Sequence, residues 1–488
     1  MIDYSRKWYV MAAVAMSIFL ATIDGSIVNI ALPTLERELN TTFAVVQWVV
    51  LAYLLTLCTL LLGIGRLADM YGKKPIYVSG FVVFTIGSVL CGFAPTVEWL
   101  IGLRILQAVG AAMVLALGAA ILTEAFPPNE RGKALGLFGS VVSLGVIAGP
   151  TLGGLLISAF SWHWIFFVNL PVGIIGTLMA QRFVPAVTPP GNQRFDYGGA
   201  ITLCLSLLAL LLGLTFGQEQ GFTSPLILAL FAGFALFLIL FIVIELRTQQ
   251  PMINLQLFDN RLFSVNLVTG FLTFVAIAGV FILMPFYLQN VLKYNVSQAG
   301  LLLAVIPVAL GIMSPLSGAL SDRFGVRPIT ITGLVLLLVG YVAISTLNVN
   351  TSVAGYLWRL LPIGLGMGIF QSPNNSAIMG SAKRDQLGVV SGLLSITRTL
   401  GQTTGIAIMG ALWASRVFAY ATEPLPQGAT GASAAVQVAA LQDTYRTVAV
   451  IVALALLLGI WGLVQERRSP ATVAVSSGRE ASSAPLAK

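Results

Sequence analysis

The 488-residue chain is 57% hydrophobic and only 9% charged, with a mean hydropathy of +0.92, whereas soluble domains carry roughly 25% charged residues. A soluble globular protein is excluded, and 49 glycines with 22 prolines suit closely packed membrane helices better than disorder or a secreted disulfide scaffold. A net charge of +8 would suggest nucleic acid in a soluble protein, so the placement of the charges decides their meaning.

Apolar runs of about 20 residues, enough to cross a hydrocarbon core, recur along the chain and read as helices rather than barrel strands. Fourteen spans are expected, over residues 8–33, 44–65, 76–94, 99–123, 134–159, 163–181, 197–216, 225–246, 262–288, 297–320, 328–347, 353–378, 387–417 and 444–464. An even number places both termini on one side. With that side cytoplasmic, nineteen Lys and Arg lie inside and four outside (Arg37, Lys293, Arg416 and Arg446), which fixes the orientation in a cell (inner) membrane. The asymmetry accounts for the basic charge, and nucleic acid needs no place. The first run is too long for a cleavable signal and is expected to be a retained span. Trp8, Trp48, Trp99, Trp162, Trp164 and Trp461 fall near the expected interfaces. Cys58, Cys91 and Cys204 lie in separate runs without metal-ligand spacing, so neither a disulfide nor a metal site is expected.

An internal repeat organises these spans. GRLADMYGKKP at Gly65–Pro75 returns as GALSDRFGVRP at Gly318–Pro328, an offset of 253, and Arg104 returns as Arg359, an offset of 255. The expected architecture is an all-α polytopic membrane protein of two parallel six-helix bundles, residues 1–181 and 262–468. A linker, 182–261, carries two inserted transmembrane helices, and a disordered cytoplasmic tail occupies 469–488. Halves related in this way are one transporter plan, with the substrate near mid-membrane between them.

The motifs resemble one family. LATIDGSIVNIALPTL in span 1 places Asp24 in an acidic position, and the loop between spans 2 and 3 supplies Gly65, Asp69, Gly72, Lys73 and Lys74. RILQAVGAA in span 4 supplies Arg104, Gln107 and Gly110, with Ala108 replacing a glycine; GVIAGPTLGG in span 5 supplies Gly145, Gly149, Pro150, Gly153 and Gly154. WHWIFFVNLPVG completes the set, with His163 where arginine is usual. Together they resemble the major facilitator superfamily, and within it the fourteen-span drug:proton antiporters. The resemblance implies the major facilitator fold and proton coupling through Asp24 and Arg104. It also implies conformational gating through Gly65, Asp69, Gly72, Lys73 and Arg131, with Asp322 in the second copy, and an antiporter hinge at Gly145, Gly149, Pro150, Gly153 and Gly154.

The residues carry physical readings of their own. A charged carboxylate at a helix centre costs about 2.5–3.5 kcal/mol on insertion scales, so Asp24 is either a site where a proton and a cation compete or a static partner for a cation such as Arg104. Arg104 cannot shed its charge and needs a carboxylate, carbonyl or water. Arg359 and Arg398 have no acid in their own spans. The fourfold glycine spacing of span 5 gives a smooth packing face, and Pro150 opens a kink. Glu124 and Glu245 read as snorkelling acids at span ends, and His163 as an exposed structural residue. A pocket for bulky lipophilic ligands draws on Asp24, Tyr53, Gln107, Phe274, Phe281, Met284, Tyr287, Met367, Phe370, Gln371 and Asn374, the alternative for each being core or lipid packing.

A membrane enzyme would require clustered nucleophiles, metal ligands, paired acids or a phosphate-binding loop, and the sequence offers none of these signatures. The expected function is proton-coupled antiport: export of lipophilic or cationic drugs and toxic compounds by alternating access, by a monomer among membrane lipids, with protons as coupling ion and no cofactor. Export of an endogenous metabolite or lipid is the alternative.

Overall fold

The computed structural model describes residues 6–127, 130–186, 196–221, 223–248, 255–381 and 387–468, and every regular element among them is helical. The expected tail, 469–488, lies outside the described residues. The first half comprises α1 (Lys7–Glu38), α2 (Phe43–Val46), α3 (Trp48–Tyr71), α4 (Lys73–Gly92), α5 (Val97–Ala125), α6 (Arg131–Ala159), α7 (Trp164–Phe167) and α8 (Asn169–Phe183). Next come α9 (Tyr197–Gln220) and α10 (Pro225–Arg247). The second half comprises α11 (Arg261–Phe286), extended by a π turn at Tyr287–Val291, then α12 (Val296–Leu303), α13 (Val305–Phe324), α14 (Val326–Ile344), α15 (Val353–Gly380), α16 (Leu387–Tyr420) and α17 (Ala434–Arg468).

Among the described residues, twelve helical segments are long and apolar enough to cross a membrane, rather than the fourteen expected. The two remaining expected spans correspond to α6 and α16, 29 and 34 residues long. Only Leu144–Ala159 of α6 stands out as an apolar stretch, and α16 carries Arg398, Gln402 and several threonines.

Local chemistry sets the helix ends. Gly72 (φ 95°, ψ 142°) and Gly325 (φ 86°, ψ 155°) take a backbone conformation closed to most side chains, ending α3 and α13 and turning the chain directly into α4 and α14. Asn295 and Gln298 form a reciprocal capping box at the start of α12, while Asn260, Ser352 and Asp196 cap α11, α15 and α9 with their side chains.

The repeat extends into the packing. Gly110 of α5 lies against the backbone nitrogen of Phe84 and the carbonyl of Gly80 in α4, and Gly366 of α15 lies against the nitrogen of Leu337 and the carbonyl of Gly333 in α14. Each partner is 253 residues from its counterpart, so the same backbone approach is built twice, at positions where a Cβ would collide.

One apolar core lies inside the first half, around Tyr77, Phe81, Phe84 and Phe126; a second crosses both halves, from Ile27–Leu35 to Phe370 and Tyr445. The halves meet where α6 packs on α12, α3 on α16 and α1 on α11. Phe43 sits edge-on to Phe286 (4.9 Å) and Trp413 (5.0 Å), Gln289 Nε2 donates to the Ile30 carbonyl (3.1 Å), and Thr430 Oγ1 donates to Glu36 Oε1 (2.5 Å). These contacts lie toward the end of the bundle opposite the N-terminus. The inserted pair α9–α10 leans on both α3 and α16.

Candidate functional site

The polar centre of the first half is assembled from side chains of five helices. Asp24 of α1 and Arg104 of α5, both fully buried, form an ion pair with Arg104 Nη1 2.5 Å from Asp24 Oδ2. The other carboxylate oxygen accepts from Gln107 Nε2 (2.8 Å) and Asn169 Nδ2 (3.3 Å). Arg104 also donates to Gln107 Oε1 (2.8 Å) and, through Nε, to the Val49 carbonyl (3.1 Å), and its guanidinium lies 4.1 Å from the centre of the Tyr53 ring. Asn169 donates to Ser88 Oγ (3.0 Å), which passes a hydrogen bond to the Phe166 carbonyl (2.9 Å).

Sequence reading placed Asp24, Arg104, Gln107 and Tyr53 among the functional residues, and the fold brings them together. It missed Asn169 and Ser88. The signal for Asn169 was present, because it is the asparagine of WHWIFFVNLPVG. A buried pair of this kind is costly to desolvate and is tolerated only when its remaining donors and acceptors are satisfied. A proton arriving at Asp24 would cancel the pair and leave Arg104 to the carbonyl, the amide and the ring.

The gating residues divide. Gly72 makes the turn described above, and Lys73 pairs with half-buried Glu124, tying α4 to α5; Glu124 is therefore a paired acid rather than a snorkelling one. Gly65 has open space on its Cα, while the side chains of Asp69, Arg131 and Asp322 lie outside the described residues. In the second copy of the loop, Arg327 donates to Asn266 Oδ1 (2.6 Å) and Glu466 Oε2 (3.1 Å), joining α14 to α11 and α17, a cluster that sequence reading did not anticipate.

The glycines of α6 face their neighbours closely. A Cβ on Gly145, Gly149 or Gly153 would overlap Thr22, Ser26 or Ile27 of α1, and one on Gly154 would meet the Val296 carbonyl of the second half. The Pro150 carbonyl lies in turn against Gly300 of α12. The expected hinge is thus a three-way seam.

The expected pocket is not open as a whole. Met284, Tyr287, Met367 and Phe370 are packed into the core that crosses both halves, Tyr287 donating to the Asn348 carbonyl (2.7 Å). Asn374 is buried and donates to the Asn266 carbonyl (3.2 Å); Phe274, Phe281 and Gln371 are half-buried. Glu245 is buried beside Gly199 of α9 rather than snorkelling, because α9 packs across it. Trp162 is likewise buried rather than interfacial, with His163 stacked on it at 3.8 Å. Burial of that loop holds the His163 imidazole below its usual value, and Glu38 opposes the shift. Arg359 finds Thr346 Oγ1 (2.9 Å) and the Gly355 carbonyl (2.8 Å) and lies over the Trp358 ring.

A paired acid and arginine buried within one of two repeated helical halves suits a membrane transporter, and the family model described as Major Facilitator Superfamily matches residues 14–406. The chain belongs to this superfamily. Proteins similar to it include the riboflavin transporter RibZ of Clostridioides difficile, 34% identical over 84% of this chain and 89% of that protein. The multidrug transporter protein MdtP of Bacillus subtilis is 31% identical over 84% of this chain and 76% of that protein. In fold, the chain is similar to a bacterial homologue of the human lysosomal transporter Spinster, solved inward-facing and unoccupied, with a TM-score of 0.66, 18% identity and coverage of 96% and 98%. The major facilitator assignment makes the chain a multi-pass membrane transporter of small molecules, not an enzyme.

Proposed function

We propose that this major facilitator protein is a proton-coupled antiporter that exports lipophilic or cationic small molecules, drugs and toxic compounds among them, by alternating access. The observation that carries the reading is the buried Asp24–Arg104 pair with Gln107 and Asn169 around it. One proton on Asp24 dissolves the pair, so the first half has two arrangements that differ by a single proton, as coupling requires. Similarity to MdtP, a multidrug transporter, supports drugs as cargo. Similarity to RibZ, a riboflavin transporter, favours a second reading, export of an endogenous metabolite or lipid by the same machinery.

In this reading α6 and α16 complete fourteen spans. Residues 1–181 and 262–468 are the two six-helix bundles, 182–261 is the linker with the inserted pair, and both termini face the cytoplasm across the inner membrane. Lys7, Lys73 and Arg327 at the N-terminal end support that orientation. The inter-half contacts at the opposite end then seal the outside. The unit is a monomer among membrane lipids, and no cofactor takes part.

The test is a pH-quench assay in proteoliposomes with a compound panel. Compound-dependent proton movement is expected from the wild type and not from Asp24→Asn. Wild-type rates in Asp24→Asn would overturn the coupling role.

A further inference from the structure

Arg398 is a deep cation without a counterpart. It stands eleven residues into α16 from Leu387, about 16 Å along the axis, and is partly exposed. Among the described residues it has neither a hydrogen-bond partner nor a charged neighbour.

Packing tells which way it faces. Gly401 and Gly405 press against α11 at Phe271, Phe274 and Val275, while Gly410 lies against Gln47 at the start of α3. At 3.6 residues per turn, Arg398, Thr399 and Gln402 fall in the sector between these two contact lines. The opposite sector carries Leu393, which packs with Phe241 of α10 and Leu203 of α9. The apolar sector therefore faces the inserted helices, and the polar sector faces the space between the halves.

An arginine inside a membrane bundle pairs or lines a water-filled space. Four acids the structure describes in the spans are already held: Asp24 by Arg104, Glu36 by Thr430, Glu124 by Lys73, and Glu245 in its buried place in α10. The free charge facing the space between the halves is positive.

We propose that Arg398 anchors an oxyanion (carboxylate, sulfonate or phosphate) of the transported molecule, with Gln402 one turn on as a second donor. The guanidinium fork matches such groups in two parallel hydrogen bonds and stays charged throughout the cycle. Phe271 and Phe274 of α11, half-buried beside Gly401, would supply apolar surface for the body of the same molecule. The inference rests on the export reading above for transport itself and revises the charge of its cargo: amphiphilic organic anions in preference to the cations named there.

Fluorescein and rhodamine 6G share a xanthene ring and carry opposite charge, and their binding to the purified full-length protein in detergent is read by fluorescence polarisation. Fluorescein is expected to bind more tightly than rhodamine 6G. Arg398→Gln weakens fluorescein by at least about tenfold without weakening rhodamine 6G, and Arg398→Lys recovers part of the loss, which separates lost charge from lost fold. Added phosphatidylglycerol leaves fluorescein in place. No fluorescein binding by the wild type, equal fluorescein binding by Arg398→Gln, a wild-type preference for rhodamine 6G, or displacement by phosphatidylglycerol, which would assign the site to a lipid headgroup, each overturns the proposal. Arg398-dependent binding in a protein that moves nothing under an imposed pH gradient would sink the export reading and leave the anion site standing.

Discussion

Arg104 and Arg359 stand 255 residues apart on the corresponding helices α5 and α15, and only Arg104 meets a carboxylate. Its guanidinium closes on Asp24 of α1, whereas α11, the counterpart of α1, offers no acid, so Arg359 turns to a hydroxyl and a carbonyl of its own turn. A charge pair that one proton can dissolve therefore occurs in the first half at this position and not in the second.

Replacing Asp24 with Asn leaves Arg104 charged and buried, and breaking such a pair from one side costs about 3–5 kcal/mol. Thermal unfolding of the purified protein should show a lowered midpoint for Asp24→Asn. The double variant with Arg104→Gln should regain much of it while staying inactive in proton-coupled flux. An unchanged midpoint in the single variant would mean that the pair contributes little to the fold.

Gly149 lies on Ser26 so closely that even a methyl group displaces α1. Gly149→Ala is expected to cost about 1–3 kcal/mol through overpacking, and Gly149→Leu to abolish dye efflux at matched membrane expression while ligand affinity changes little. Normal efflux by Gly149→Leu would remove the seam from the transport cycle.

Thr430 gives Glu36 a hydrogen bond across the two halves. Hydrogen bonds contribute about 0.5–1.5 kcal/mol net, more when one partner is charged, so Thr430→Ala should shift the population toward opening at this end by roughly several-fold. Spin-label distances across the α1–α2 and Gly428–Gly431 segments would lengthen; identical distance distributions for wild type and variant would rule the contact out as a latch.

His163 contributes a pH term of predictable sign. Its folded-state value lies below the ordinary 6.5, chiefly through burial, so the neutral ring is favoured in the native state. The associated stability is present above that ordinary value and is lost as pH falls through and below it. The ring is partly exposed, so the effect is small. The difference in unfolding midpoint between pH 7.5 and pH 5 should shrink in His163→Gln, and an equal or larger difference would contradict the assignment.

Much of the site was legible because membrane burial makes polar residues conspicuous. Asp24 and Arg104 interrupt apolar spans, and Gly72 and Gly325 stand at the same place in the two loop copies. Asn169 and Ser88 escaped because small polar side chains are common in membrane helices and nothing local says which of them converge. The Glu36–Thr430 contact joins residues 394 positions apart, and no periodicity reports on such a distance. Glu245 was misread for a related reason: a carboxylate at a helix end looks exposed until the neighbouring helix is in place.

The inserted pair α9–α10 touches both halves, and does so through apolar contacts. Toward α3 it makes the Trp48–Phe216 ring contact at 5.3 Å. Toward the second half Leu203, Leu238 and Phe241 share one apolar cluster with Leu267, Ile378 and Leu393. Dispersion contacts of this kind are individually tiny and re-form at many offsets. In the alternating-access reading proposed above, the inserted pair would let the halves slide past it as they rock, a greased bearing rather than a brake.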